Sequence, residues 1–321
     1  MSVSNSRRRA AVAVELRAGA TFTVRLPGPL DIPASLELFR RSGDDLIDRW
    51  DGTTLVRTLP IGERHIAYAC TFSGTIDEPA LHMTVADIAT TADVAAVAEV
   101  VAEMFVPAPS EFAELVARDP VIARLDACYP GLRPVRQFEL FAALVRCISA
   151  QQVNLRWAAT TRSRLAEAFG TRHEVAGQTV YCLDPARFAA LSVEAIRALQ
   201  LTTRKAEYII AVAQTIADGR LGLAQLARMG DEEVIATLAG LRGIGRWSAE
   251  WILARTLGRP RVVAGDLAVR KAIGAAYLGM PPKGPLPSEE AVRAATAHWG
   301  ASAGVAQRLL LQGYGSGTLA T

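Results

Sequence analysis

The sequence predicts an α+β fold, with a small antiparallel-sheet unit at the N-terminus followed by an all-α unit. Three observations carry this. Through the first hundred residues, apolar and polar side chains alternate with the period of half-buried strands. At Pro107-Ala108-Pro109 the pattern changes, and from there almost to the end apolar residues recur at helical spacing. The chain has 321 residues, half of them hydrophobic, enough for two or three compact units. The change of pattern divides the chain into 1–108 and 109–321.

In order, Val12, Val14 and Leu16 alternate with Ala13 and Glu15, and Phe22, Val24 and Leu26 alternate with Thr23 and Arg25. Further strands are expected at 54–59, 65–72 and 80–85, broken by helical patterns at 34–41 and 93–105. Beyond the proline pair, Phe138, Phe141, Leu144, Val145 and Ile148 trace one helix face. Helices are also expected at 155–169, 193–200, 204–217, 232–239, 246–257, 267–277, 289–299 and 304–312. Ser192, Thr203, Asp231 and Ser288 stand where N-caps belong. Residues 171–183 have β-type composition and suggest a small hairpin insertion.

Bulk properties exclude several classes. The longest apolar stretch, 94–106, is broken by Glu99 and Glu103, so it is no transmembrane span by the criterion of about 20 apolar residues. The basic run 2–9 is followed by no apolar core and cleavage site, and reads as a tail rather than a signal peptide. Cys70, Cys128, Cys147 and Cys182 are widely scattered, without the close spacing a zinc site or iron–sulfur cluster needs. Such thiols fit a reducing, cytoplasmic setting. The net charge is +3, yet residues 136–321 hold 22 basic and 14 acidic side chains, a net +8. That field suits a polyanion; an ordinary solvated surface is the plainer reading of charge alone.

The most informative stretch is Leu241-Arg242-Gly243-Ile244-Gly245-Arg246-Trp247-Ser248-Ala249, between two expected helices. Two glycines around one aliphatic residue make a tight hairpin, and glycine permits both positive φ and close backbone approach. The outgoing helix would turn free N–H groups and its positive dipole end toward an anion, such as a DNA phosphate. Arg246 and the Ser248 hydroxyl are candidate additional contacts. The carbonyls of Leu241 and Ile244 are candidate ligands for a structural Na+ or K+; no other cofactor is expected. A plain turn between helices is the competing reading. About twenty residues on, Asp266 in Val263-Ala264-Gly265-Asp266-Leu267 stands at a helix start. Asp there is an ordinary N-cap; its pairing with the hairpin at this spacing is what makes it a candidate.

With these motifs the chain resembles the helix-hairpin-helix DNA glycosylase superfamily, and within it the bacterial 3-methyladenine DNA glycosylase II family. Residues 138–153, Phe138 to Val153, are similar to that family's first core helix and the glutamine-containing turn after it. Leu201-Thr202-Thr203-Arg204-Lys205-Ala206 resembles the lead into a later helix. Residues 241–249, within a hairpin spanning 238–250, resemble its hairpin, and Gly265-Asp266-Leu267 its catalytic aspartate turn. Leu55-Val56-Arg57-Thr58-Leu59-Pro60-Ile61-Gly62 resembles its N-terminal sheet.

The resemblance implies a helical glycosylase domain that acts, as a monomer, on double-stranded DNA carrying damaged bases. It places the catalytic carboxylate at Asp266, where it would stabilise positive charge on the deoxyribose. It places pocket-lining residues at Trp247, Trp251 and Leu311; the two tryptophans are i and i+4 on one helix face and would favour a cationic purine. Core packing is the plainer reading of such a pair. DNA contacts fall at Gln151, Gln152, Gly243, Gly245, Arg246 and Ser248, with Gln152 where the family inserts a wedge, often an apolar one. Bifunctional relatives carry a Schiff-base lysine where Trp247 stands, so a monofunctional enzyme is implied. There is also no cysteine after Cys182, whereas the endonuclease III branch ends in a four-cysteine cluster.

The last helix departs from the pattern. Residues 300–312 offer small side chains and leucines where the family often has Trp-Arg-Ser and a further aromatic, and Ala303-Gly304 resembles some oxidised-guanine glycosylases. The expectation is therefore excision of alkylated purines such as 3-methyladenine. The alternatives are an oxidised-purine, hypoxanthine or uracil glycosylase, and a non-catalytic helix-hairpin-helix DNA-binding protein.

Overall fold

The structure is a computed structural model and describes residues 21–62, 64–86, 90–281 and 284–319. The strand expected around Val12–Leu16 and the basic run 2–9 lie outside these residues. Five strands form one antiparallel sheet in the order β1-β5-β4-β3-β2: β1 (Thr21–Arg25), β2 (Arg49–Trp50), β3 (Leu55–Ile61), β4 (Arg64–Gly74) and β5 (Pro79–Val85). The register pairs Val24 with Leu81, Cys70 with Met83 and Leu59 with Ile66.

The period of two sorts each strand onto two faces. Leu55 and Leu59 of β3, with Ile66, Tyr68 and Cys70 of β4, pack in one core with α1 (Ile32–Arg41) and α2 (Thr91–Ala102). The intervening Val56, Ala67 and Ala69 face the other way and meet Val175 and Val180. These last two belong to the hairpin of β6 (Thr171–Val175) and β7 (Gln178–Cys182). The expected insertion is thus a cover for the second face of the sheet, which explains why that face is also apolar.

The rest is helical: α3 (Phe112–Arg118), α4 (Pro120–Cys128), α5 (Leu140–Ala150), α6 (Leu155–Phe169), α7 (Pro185–Ala189), α8 (Val193–Arg197), α9 (Thr203–Ala217), α10 (Leu223–Arg228), α11 (Asp231–Ala239), α12 (Arg246–Arg255), α13 (Leu267–Tyr277), α14 (Glu289–Thr296) and α15 (Ala303–Gly315). One core gathers α5, α9, α11 and α12; another gathers α4, α13 and α15. No helix among the described residues is long and apolar enough to cross a membrane. Sequence periodicity gave no sign of α3 and α4, two short helices punctuated by Pro120, whose cap is Asp119. Two expected caps shift. Thr202, not Thr203, caps α9, and Gly230, not Asp231, precedes α11, leaving Asp231 in the first turn, where its charge favours the helix dipole.

The two halves meet across a buried ionic network. Asp45 and Asp48, from the loop after α1, receive Arg146 of α5 at 2.8 and 2.6 Å, Arg162 of α6 binds Asp45 at 2.9 Å, and Arg57 of β3 binds Asp48. Burial alone would raise the Asp45 carboxyl, but Arg146 and Arg162 outweigh it and hold the group well below the usual range.

Glu139, at the head of α5, is different. Thr58 Oγ1 donates to it at 2.8 Å, but burial dominates and pushes its carboxyl from the ordinary 4.5 up to about 7. Between those values the folded chain holds a proton that the unfolded chain has lost. Stability from this group is therefore complete below about pH 4.5 and is lost as pH rises through 7. Glu139→Gln, read by urea midpoints, is expected to remove a decline of roughly 1–3 kcal/mol between about pH 5 and 8. An unchanged slope in the variant refutes this.

Candidate active site

The hairpin between α11 and α12 is built by its own residues. Gly243 has φ of +88°, and a Cβ there would lie 2.2 Å from the Tyr208 ring, so this position requires glycine. Ile244 is buried in the α5–α9–α11–α12 core, and its N–H donates to the Leu241 carbonyl at 3.0 Å, closing the turn. Gly245 is extended, and a Cβ on it would meet nothing within 4 Å. It precedes α12 with no side-chain cap, leaving the first N–H groups of that helix open.

Two tryptophans lie on successive turns of α12. Trp247 Nε1 donates to Asp266 Oδ2 at 3.3 Å. The other Asp266 oxygen caps α13, accepting from the backbone of Ala268 at 2.9 Å and Val269 at 3.1 Å. One carboxylate oxygen is thus spent on holding the helix, and the other faces the tryptophan. Gly265 makes the close approach possible: a Cβ there would lie 3.5 Å from Trp247 Cβ and 3.1 Å from Glu289 Oε1. Trp247 and Trp251 pack on the core of α5, α9, α11 and α12, whereas Leu311 packs on the core of α13 and α15; the Asp266 turn, bonded to Trp247, leads into α13.

Residues 145–299 match the family model described as HhH-GPD superfamily base excision DNA repair protein. This stretch, just under half of the chain, is similar to that superfamily. A DNA-3-methyladenine glycosylase of Bacillus subtilis is 33% identical over 150 residues, 46% of this chain and 50% of that protein. DNA-3-methyladenine glycosylase 2 of Escherichia coli is 33% identical over 135 residues, 42% of this chain and 47% of that protein. The chain spans about half the length of the curated relatives it matches. The solved structure of a 3-methyladenine DNA-glycosylase from Archaeoglobus fulgidus superposes with a TM-score of 0.79 at 22% identity, covering 91% of this chain and 98% of that one, and so shares its fold.

Two of the expected DNA contacts are placed differently. Ser248 is only 1% exposed and its hydroxyl is directed at Cys147, so its side chain is withdrawn from any surface ligand. Gln151 is half-buried, and its Nε2 donates to the Gly243 carbonyl at 2.8 Å. It braces the hairpin against the end of α5. Gln152, by contrast, is exposed with φ of +56°, at a tip flanked by Val153 and Leu155, which are 36% and 62% exposed. Arg246 is exposed at the start of α12.

The structure also assembles residues that motif reading passed over. Glu250 of α12 is fully buried, and its Oε1 accepts from Arg246 Nε at 3.2 Å, Arg261 Nη2 at 3.1 Å and Arg293 Nη2 at 2.7 Å. This clamp joins the hairpin helix, the segment leading to Asp266, and α14. Arg255, one turn beyond Trp251, continues the same stripe. Its spacing was readable in the sequence; that its Nη1 is buried was not.

Proposed function

We propose that this protein is a monofunctional DNA glycosylase of base excision repair that flips an alkylated purine, such as 3-methyladenine, out of duplex DNA and hydrolyses its glycosidic bond. The observation that carries the reading is Asp266 Oδ2 facing Trp247 Nε1 beside a bare, uncapped helix start. The N–H groups at the head of α12 and the Arg246 guanidinium would grip a phosphate. Gln152, projecting from its tip, would fill the space the flipped base leaves. The base would enter between Trp247 and Trp251 on one side and Leu311 on the other. As the C1′–N bond breaks, positive charge develops on the sugar, and the Asp266 carboxylate would stabilise it and orient the attacking water.

The Leu241 carbonyl gives one lone pair to the Ile244 N–H and keeps a second. With the Ile244 carbonyl it could hold a Na+ or K+ ion against the turn, which would stiffen the hairpin.

Incubation with methylated duplex DNA is expected to release free alkylpurine and leave an intact abasic strand. Trp247 stands where a Schiff-base lysine would be needed, so borohydride should trap no enzyme–DNA adduct. Trapped adduct, or strand scission without added base, overturns the monofunctional reading; no release from any lesion overturns the enzyme.

The two hairpin glycines separate fold from binding. Gly243→Ala drives a Cβ into the Tyr208 ring at a left-handed position and is expected to cost about 2–4 kcal/mol of stability. Gly245→Leu meets nothing in the fold, so it should cost about 1 kcal/mol or less. It should nevertheless weaken DNA binding at least about tenfold on all sequences alike, because phosphate contacts carry no sequence information. Full-strength DNA binding by Gly245→Leu would place the DNA-facing surface elsewhere.

A further inference from the structure

Because Asp266 Oδ1 caps α13, accepting from the Ala268 and Val269 N–H groups, its carboxylate moves with that helix. The helix Leu267–Tyr277 has 11 residues, a rod about 16 Å long. At the far end its last residue, Tyr277, donates its hydroxyl to Asp119 Oδ2 at 2.7 Å. Asp119 is 3% exposed and repeats the arrangement of Asp266. Its Oδ1 caps α4, accepting from Val121 at 2.9 Å and Ile122 at 3.1 Å. Its Oδ2 also accepts from His298 Nε2 at 2.8 Å and Trp299 Nε1 at 3.4 Å. The His298 and Trp299 rings lie edge to face with Tyr277, 6.0 and 5.9 Å between centroids. Burial alone would raise the Asp119 carboxyl, but these donors outweigh it and hold the group below the ordinary range; burial and Asp119 together push the Tyr277 phenol up. At neutral pH the first therefore stays an acceptor and the second a donor. Val269, Ala272 and Ile273 pack α13 into one core with α4 and α15, and such apolar contacts are non-directional. Directional bonds hold the helix near its start, where Arg270 Nε donates to the Pro287 carbonyl at 2.8 Å, and at its last residue.

We infer that Asp119 and Tyr277 are positioning residues for Asp266: the bond between them fixes the axial position and rotation of α13, and through the helix the direction in which the Asp266 carboxylate faces Trp247. This rests on the reading of Asp266 as the glycosylase carboxylate. A carboxylate that stabilises a developing cation acts by being in place before the bond breaks. A misplacement of about 1 Å, made far from the chemistry, costs up to roughly 10²-fold in rate. Without the Tyr277 hydroxyl, only apolar packing resists a small slide or turn of the distal end, and the capping carboxylate follows the helix.

The test uses the full chain and combines single-turnover release of 3-methyladenine, duplex affinity, a thermal melt and the Trp247 indole N–H resonance. That resonance is one of five from the tryptophans and is identified by its loss in Trp247→Phe. Tyr277→Phe keeps the ring and removes only the hydroxyl. It is expected to slow release roughly tenfold per folded molecule while affinity stays within about twofold. It should also shift the indole resonance, which reports the bond to Asp266 a helix length away. Asp119→Ser keeps a capping oxygen for α4 but cannot reach Tyr277, and should change rate and resonance in the same direction. Ile122→Val, which removes one methyl group from the same core, is the control. Its melting temperature should fall with rate per folded molecule and resonance unchanged. If Tyr277→Phe and Asp119→Ser behave like Ile122→Val, the cluster only holds the fold together and the inference is overturned. An unmoved resonance in Tyr277→Phe overturns it whether or not wild type releases base. Wild type that releases no base, with the resonance shifted in Tyr277→Phe, removes the glycosylase reading and leaves the coupling through α13 supported.

Discussion

Asp266→Asn is expected to slow release of an alkylated purine by about 10³-fold or more, close to 4 kcal/mol of transition-state stabilisation, while DNA affinity stays the same or rises. The substitution is well matched to the geometry. Asn is as good an N-cap as Asp, so the bonds from Ala268 and Val269 that start α13 survive and the fold is unchanged. What goes is the negative charge facing Trp247, the charge that would stabilise a deoxyribose cation in the proposed reaction. The amide also has to offer either an oxygen or an NH2 at the Oδ2 position, and the latter faces the Trp247 N–H donor. Single-turnover rates with a filter-binding or polarisation measurement on the same duplex check both halves of the prediction. A near-wild-type rate with normal binding would reassign Asp266 to its ordinary role as a helix cap.

Glu250→Ala has the largest expected effect on stability. It leaves Arg246, Arg261 and Arg293 converging on a site with no acceptor. Breaking a buried charge cluster by removing its centre costs about 3–5 kcal/mol. The low end applies here, because the three arginines are 46%, 21% and 32% exposed and partly screened by water. Glu250→Gln keeps the shape and one acceptor oxygen and should lose less than half as much. Because Arg261 lies on the segment running into Asp266, the alanine variant should also lose base-release rate out of proportion to its folded fraction. Urea unfolding alongside single-turnover kinetics distinguishes the two effects. A loss below about 1 kcal/mol would show that the pairs the arginines already make with Glu232 and Glu289 suffice to hold them.

The hairpin, the aspartate turn and the tryptophan pair were legible in the sequence because each is a local property. Gly243 is glycine for its own φ, Asp266 caps the helix that follows it, and Trp247 and Trp251 share a face by helical spacing alone. Strand alternation was legible for the same reason, and it sorted Leu55 and Leu59 from Val56 without reference to any partner. The tertiary structure alone decided which polar groups are exposed. Ser248 and Arg246 sit two residues apart and look alike as phosphate ligands, yet the half-turn of helix between them directs the first into the core and the second outward. Gln151 and Gln152 are neighbours, yet one is bonded to the hairpin 92 residues away and the other projects from a positive-φ tip. Glu250 carries no motif. Its role arises from its burial and from Arg261 and Arg293, brought to it across 11 and 43 residues of chain, and the cost of burying a charge depends on neighbours that only the folded chain supplies.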